Sequence, residues 1–474
     1  MERLNHNKST KQWIFAITSM ANLSATFAMN SVNLALPVIA KEFGASQGDV
    51  SWLTLIYSLI PCCMLLICGK IGDLYGYKRQ YKIGFSFFAL SSALAPIFSH
   101  TLPTLFFFRA LQGLGYSLLI SITQATISQT FDDTERGKAL GINSVFVSVG
   151  FASGPTIGGL LLLHFSWHSI FYFSIPFCAA GLIATIFIMP EEEEIRQKHK
   201  VNLDWQGGVL FAVSVGTLAV GLNFSDDWGI GSAPFLSCLA VFALMMGFFI
   251  WREKSVKEPL IPLKLFRNKT FSLANVTCAL SYMTQQLTAY LFPFFLINVL
   301  LLEPDKAGLV LLASPIAMMA ASPVGGALSD KYGTRRPAAA GLVLIALNCI
   351  LVGFFKEKMS VFIVLLVLMM VGAGNGLSVS AINSAILASV PKSYAGVASG
   401  TLATMRNIGN TFGTAIGSVL LITRQAHYSA LEPELSSRTL YLYAQRDTFL
   451  AGLGMILLAI VLVVNLPHKN SDLE

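Results

Sequence analysis

Apolar runs of about twenty residues recur along almost the whole chain, and that is the length an α-helix needs to cross the hydrocarbon core of a bilayer. They run from Trp13 to Leu36, Val50 to Ile71, Ile83 to Phe98, Leu102 to Ser128, Ala139 to Leu163 and Ser169 to Met189. A charged connection, Glu191 to Lys200, leads to two more, Trp205 to Phe224 and Pro234 to Ile250. After a basic linker from Arg252 to Lys269 come Phe271 to Leu300, Ala307 to Leu328, Pro337 to Phe355, Val361 to Leu387, Ala395 to Ile422 and Thr448 to Leu466. In lipid each backbone N–H and C=O must be satisfied within its own segment, so such runs fold as helices. The pattern predicts an all-α membrane protein with fourteen transmembrane helices. Its expected units are a six-helix bundle over residues 1–190, an inserted helix pair with linkers over 191–269, and a second six-helix bundle over 270–474. With 12% charged residues and a mean hydropathy of +0.65, a soluble globular chain is excluded.

The first run is too long for a signal-peptide core and is followed by no small-residue cleavage site, so it is the first span. Lys and Arg number 23 on the N-terminal side and the alternate loops matching it, against 7 on the other. That bias predicts a multi-pass plasma-membrane protein with both termini cytoplasmic. The net charge of +7 is spread through short loops as orientation requires, and nucleic-acid binding is not expected. All seven cysteines, Cys62, Cys63, Cys68, Cys178, Cys238, Cys278 and Cys349, fall inside apolar runs without metal-ligand spacing. They read as small buried hydrophobes, with no disulfide framework and no metal.

The chain is internally duplicated. Gly69, Asp73, Gly76 and Arg79 recur 257 residues later as Gly326, Asp330, Gly333 and Arg336. Past that hairpin the offset is 259: Gly113 and Gly115 answer to Gly372 and Gly374, and Gly137 and Gly141 to Gly396 and Gly400. Two structurally equivalent halves follow. In the hairpin, glycines permit close approach to neighbouring helices, the acid is suited to cap a helix N-terminus, and the basic residues favour an anionic membrane surface. The fifth span carries Gly150, Gly154, Pro155, Gly158 and Gly159, and the thirteenth carries Gly409, Gly413 and Gly417. Small residues at every fourth position make a flat packing face. Pro155 also frees a carbonyl and permits a bend, which favours a gate or seal in the fifth span; in the thirteenth, a moving part and plain packing remain equal readings.

Together these residues resemble the major facilitator superfamily, and within it the fourteen-span drug:proton antiporter branch. Gly69 to Arg79 is similar to the family's loop motif between its second and third helices, Arg109-Ala-Leu-Gln112-Gly113 to its fourth-helix motif, and Gly150 to Gly159 to the fifth-helix motif of antiporters. Ser31 to Pro37 resembles the first-helix signature and Leu203 to Gly207 the opening of the inserted pair. The resemblance implies two bundles rocking about a central cavity, with the hairpins latching the cytoplasmic gate. It implies export of amphipathic compounds of multidrug-efflux type, with a proton gradient as energy source and no cofactor. The expected partners are small amphipathic substrates and the lipid bilayer, and a monomer is expected. One departure stands out: aligning the signature on Pro37 puts Ala28 in the branch's usual acidic position, and no acidic residue falls in the middle of a predicted span.

What lies deep is positive. Arg109 and Arg406 sit within spans, where a charge needs a partner or a wet surrounding. Each has two readings, a clamp on neighbouring helices or a pathway residue. With Gln112, Asn30, Asn33, Gln124, Asn143, Gln285 and Asn383 they are the cavity or coupling candidates; Asn22, Gln286 and Asn375, and the aromatics Tyr57, Phe146, Phe151, Tyr282 and Tyr290, extend that set. Two deep arginines without an acid also suit a transporter of lipids, fatty acids or other organic anions, which is the alternative function. No nucleophile constellation, metal cluster or phosphate-binding Gly loop is present, so neither an enzyme nor an ATP-driven pump is supported.

Overall fold

Continuous apolar sequence with few breakers gives long helices, and a computed structural model shows them over residues 8–45, 47–132, 134–190, 204–224, 228–229, 231–256 and 259–466, the residues described below. The stretch Glu191 to Lys200 and the pair Asp226 and Asp227 lie outside them, as do the side chains of Asn33 and Pro155. The helices are α1 (Lys8–Phe43), α2 (Gln47–Tyr75), α3 (Tyr77–Phe98), α4 (Leu102–Thr130), α5 (Arg136–His164), α6 (His168–Phe173), α7 (Ile175–Phe187), α8 (Trp205–Asn223) and α9 (Ala233–Ser255). They continue as α10 (Lys269–Phe294), α11 (Pro304–Leu311), α12 (Ala313–Tyr332), α13 (Arg335–Val352), α14 (Val361–Ala388), α15 (Ala395–Leu431) and α16 (Ser437–Val464). Among the described residues there is no strand.

Eleven segments are long and apolar enough to cross a membrane, counting α6 with α7 and α11 with α12. α1 includes side chains outside those described, and α10 and α15 fall short for a physical reason. These last two carry Asn275, Ser281 and Gln285, and Arg406, Asn407 and Asn410. A helix enclosed by other helices does not need a lipid-compatible surface all round.

Several boundaries differ from those read in the sequence. The sixth span is broken at Ser174, where Pro176 has no N–H to give, and the tenth is broken at Leu312. The motif hairpins are hardly loops. α2 stays helical to Tyr75 and α3 starts at Tyr77, so Gly76 alone makes the turn at φ 87°; Gly333, at φ 81°, turns the chain with Thr334 between α12 and α13. Only glycine adopts that region without strain. At the far side α15 and α16 overrun the expected spans, and at 37 residues α15 is about 55 Å long, well beyond a hydrocarbon core of about 30 Å. The projecting ends are tied by Asp447, which accepts from the Tyr428 hydroxyl at 2.9 Å and pairs with Arg424 and Arg446.

Packing follows the duplication. In the first half α1 lies on α5, α2 and α3 on α4, and α3 on α7; in the second α10 lies on α15, α12 and α13 on α14, and α13 on α16. The halves meet where α2 packs on α15 and α5 on α12, with α4 also against α15. The inserted pair attaches by α8 against α2, while α9 turns Leu236, Leu244, Phe248 and Trp251 outward. Its base is fixed by Asp204, which caps α8 through the Gly207 N–H at 3.0 Å and pairs with Arg252 at 2.8 Å.

Candidate functional site

The two acids of the repeated hairpin cross from one half to the other. Asp73, in the last turn of α2, accepts from the backbone N–H groups of Gly396 at 2.7 Å and Val397 at 2.8 Å, at the start of α15. Asp330, in the last turn of α12, accepts from the N–H groups of Gly137 at 2.8 Å and Lys138 at 2.9 Å, at the start of α5. Each carboxylate satisfies two donors that a helix N-terminus leaves unpaired and lies against the positive end of that helix. The Tyr77 hydroxyl adds a third bond to Asp73 at 2.8 Å.

The approach needs glycine on both sides. A Cβ on Gly69 would meet the Gly396 carbonyl oxygen at 2.5 Å, and one on Gly326 would run into the Gly137 carbonyl. Around these contacts Leu66, Ile67, Ile127, Leu140, Ile386, Val397, Ala398 and Leu402 form one buried apolar cluster spanning both halves. The latch side of the interface is therefore dry and closed. Arg79 and Arg336 stand exposed one turn into the following helices and take no part in the carboxylate bonds.

The glycine stripes pack within their own halves. Gly150 faces Thr26, a Cβ on Gly154 would lie 2.6 Å from the Asn30 Cβ, and one on Gly158 would lie 3.3 Å from the Ser31 Cβ, so the α5 stripe packs on α1 of its own half. Gly159 is half-buried on the same helix. In the second half Gly409 faces Ala279, Gly413 faces Met283 and Gln286, and Gly417 faces Leu287, so the α15 stripe packs on α10. Both stripes thus make a helix-on-helix contact inside one bundle.

Arg109 and Arg406 part company. Arg109 is fully buried within the first half. Its Nε donates to the Leu53 carbonyl at 3.1 Å, and its Nη1 to Gln112 Oε1 at 2.5 Å and the Ala28 carbonyl at 3.5 Å. Gln112 passes the chain to Ser92 at 2.7 Å, and the guanidinium lies 4.2 Å from the Tyr57 ring centre. This is a clamp geometry, binding α1, α2 and α4 together, with Nη2 buried and without a hydrogen-bond partner. Arg406 lies half-buried on α15, hydrogen-bonded to the Tyr282 hydroxyl of α10 and within electrostatic reach of Tyr116 of α4 across the interface.

The polar candidates divide in the same way. Asn143 is buried and accepts from Asn22 at 2.6 Å while donating to Thr18 at 3.3 Å, so it joins α5 to α1. Gln124 and Asn383 are buried, each with its side-chain oxygen lacking a partner. Asn30 and Gln285 are half-exposed; Asn30 donates to the Thr26 carbonyl at 2.9 Å, and the Gln285 oxygen has no partner. What the sequence did not assign was the receiving end of each latch, the N–H groups of Gly137, Lys138, Gly396 and Val397. The signal was the repeat of Gly137 and Gly141 as Gly396 and Gly400, which fell in register with the hairpins that dock on them.

With this geometry in place, comparison with known proteins is informative. Residues 18–414 and 274–472 match the family described as Major Facilitator Superfamily. The chain is 28% identical over 461 residues to the riboflavin transporter RibZ of Clostridioides difficile, covering 97% of this chain and 98% of that protein. It is 33% identical over 409 residues to the multidrug resistance protein Stp of Mycobacterium tuberculosis, covering 85% of this chain and 74% of that one. In fold it is similar to the human organic anion transporter MFSD10, with a TM-score of 0.65 at 15% identity over 96% of this chain and 98% of the other, a likeness of architecture alone.

Proposed function

Because the chain belongs to the major facilitator superfamily, we propose that it is a secondary transporter of the fourteen-span type that exports amphipathic organic compounds by alternating access. Its units are the six-helix bundle of residues 1–190, the inserted pair of 191–269 and the six-helix bundle of 270–474, with both termini on the cytoplasmic side of the plasma membrane. The observation that carries this reading is the reciprocal pair of latches, in which Asp73 and Asp330 each bind the opposite half. When both are released, the dry cluster around Leu66 and Leu402 parts and the halves open inward. Relatives named for multidrug resistance, and for tetracenomycin C resistance and export in Streptomyces glaucescens, support the direction and cargo. The proton-motive force is the driving energy in this proposal.

A second reading, transport of a polar heterocycle of the riboflavin kind, rests on the RibZ likeness along nearly the full chain. Flux in inverted membrane vesicles tests both. Energised vesicles are expected to accumulate hydrophobic dyes and drugs; accumulation of riboflavin alone moves the assignment to the second reading, and no movement of either removes the export proposal.

A further inference from the structure

Burial along α15 changes abruptly. From Val397 to Thr404 every residue is buried, and from Met405 to Ile408 every residue is half-exposed. Arg406 thus stands just beyond the dry seal, in the first partly exposed turn of α15. Among the ion pairs of the described residues none involves Arg406, and the residues about it are aromatic and neutral. Tyr282 of its own half is its hydrogen-bond partner, and Tyr116 of the other half and Cys278 lie within electrostatic reach. The Tyr116 ring in turn lies 5.6 Å from that of Tyr57 at 68°, edge to face. One turn further along α15, Gly409 lets α10 come close enough that a Cβ there would be 2.8 Å from the Tyr282 Cβ, which pins that ring beside the guanidinium.

A half-exposed guanidinium in a low-dielectric surrounding, without a protein carboxylate, favours an anion brought from outside. The partly exposed Tyr282 ring beside it supplies a flat face for a planar group, and the phenol hydroxyls supply donors for its oxygens. We propose that Arg406, with Tyr116 and Tyr282, is the recognition point for the anionic group of a planar aromatic cargo held between the halves. The inference rests on the transport reading and deepens it by naming the cargo's charge class. It carries a consequence for energy. An anion leaving a cytoplasm that is electrically negative moves down the membrane potential, so the electrical part of the proton-motive force drives export without a titrating intramembrane carboxylate. One charge across 100 mV corresponds to about a fiftyfold concentration ratio.

The test uses the full chain in proteoliposomes with two probes sharing a ring system, anilinonaphthalene sulfonate as anion and phenylnaphthylamine as its neutral counterpart, and ethidium as a planar cation. A potassium-valinomycin potential is imposed with the pH gradient collapsed, and probe binding to the purified protein is measured in parallel. The expected result is sulfonate accumulation on the positive side, tending toward about fiftyfold at 100 mV. Arg406→Gln should weaken sulfonate binding at least tenfold and leave phenylnaphthylamine binding within twofold, with Arg406→Lys intermediate; a thermal unfolding curve confirms that each variant is folded. Sulfonate binding equal in wild type and Arg406→Gln, or ethidium preferred over sulfonate, overturns the proposal. Sulfonate binding that depends on Arg406 without flux of any probe upholds the recognition point and overturns the transport reading instead.

Discussion

Arg109 and Arg406 are each a lone arginine inside an apolar run, yet one belongs to the interior of a bundle and the other to the junction between bundles. Arg109 has its charge spread over two backbone carbonyls, a glutamine and an aromatic face, all in the first half. Arg406 meets residues of both halves and is half-exposed. The difference teaches that a costly charge within a span is not by itself a marker of function. Enclosure separates the two: a buried cation bonded to neighbouring helices holds them together, and an accessible one is open to a ligand.

The largest expected effect breaks the comparison on its interior side. Arg109→Ala leaves the Gln112 side chain and the Leu53 carbonyl without their donor and opens a cavity, a loss of at least about 3 kcal/mol in folding stability. Arg406→Gln should cost under about 1 kcal/mol, since nothing buried is stranded. Thermal unfolding of the two purified variants decides the matter. Equal destabilisation would show that Arg406 is a clamp as well.

Next come the junction carboxylates. An amide in place of Asp73 keeps one acceptor but points an NH2 at the second backbone N–H, so Asp73→Asn loses a charge-assisted bond worth about 1.5–3 kcal/mol. The closed conformation should lose roughly tenfold or more in population relative to the inward-open one, with Asp330→Asn similar. Thiol cross-linking between the cytoplasmic ends of α2 and α15 reads the change. Folding stability that falls as far as with Arg109→Ala would place the latches among the interior contacts and dissolve the distinction.

How much of this was legible in the sequence follows from what kind of signal each part leaves. Helix positions and the twofold repeat leave patterns of length and spacing, and Gly69 with Asp73 announced a latch because its copy returns at Gly326 with Asp330. The partners of a latch are backbone N–H groups, which leave only the glycines that admit them. The stripe at Gly150, Gly154 and Gly158 was read as a seal because spacing tells that a helix packs there and is silent on which one. Enclosure of Arg109 was equally illegible, for it depends on carbonyls at Leu53 and Ala28 that any side chain could have carried.

A smaller effect separates glycines of the two regions. Gly413→Ala, pressed on the Met283 carbonyl within the second half, should lower stability by about 1–3 kcal/mol without altering the conformational equilibrium. Gly400→Ala, whose Cβ would lie 2.8 Å from the Leu65 carbonyl across the junction, should shift that equilibrium more than it lowers stability. Identical profiles would mean that one kind of glycine contact serves both regions. The smallest change is a control: Gly454→Ala meets nothing within 4 Å and should stabilise α16 by about 0.5–1 kcal/mol with flux unchanged.

The single-residue turn at Gly76 has a mechanical consequence. With no slack between α2 and α3, a pull at Asp73 cannot be absorbed by a loop and must tilt both rods together. At 29 residues α2 is a lever about 44 Å long. Pivoting near its middle, it carries any displacement at the latch to the opposite rim with the sense reversed and the size nearly unchanged. Inner opening and outer closing are then one geared stroke, and a pair of spin labels at the outer ends of α2 and α15 would keep time with the breaking of two hydrogen bonds on the far side of the membrane.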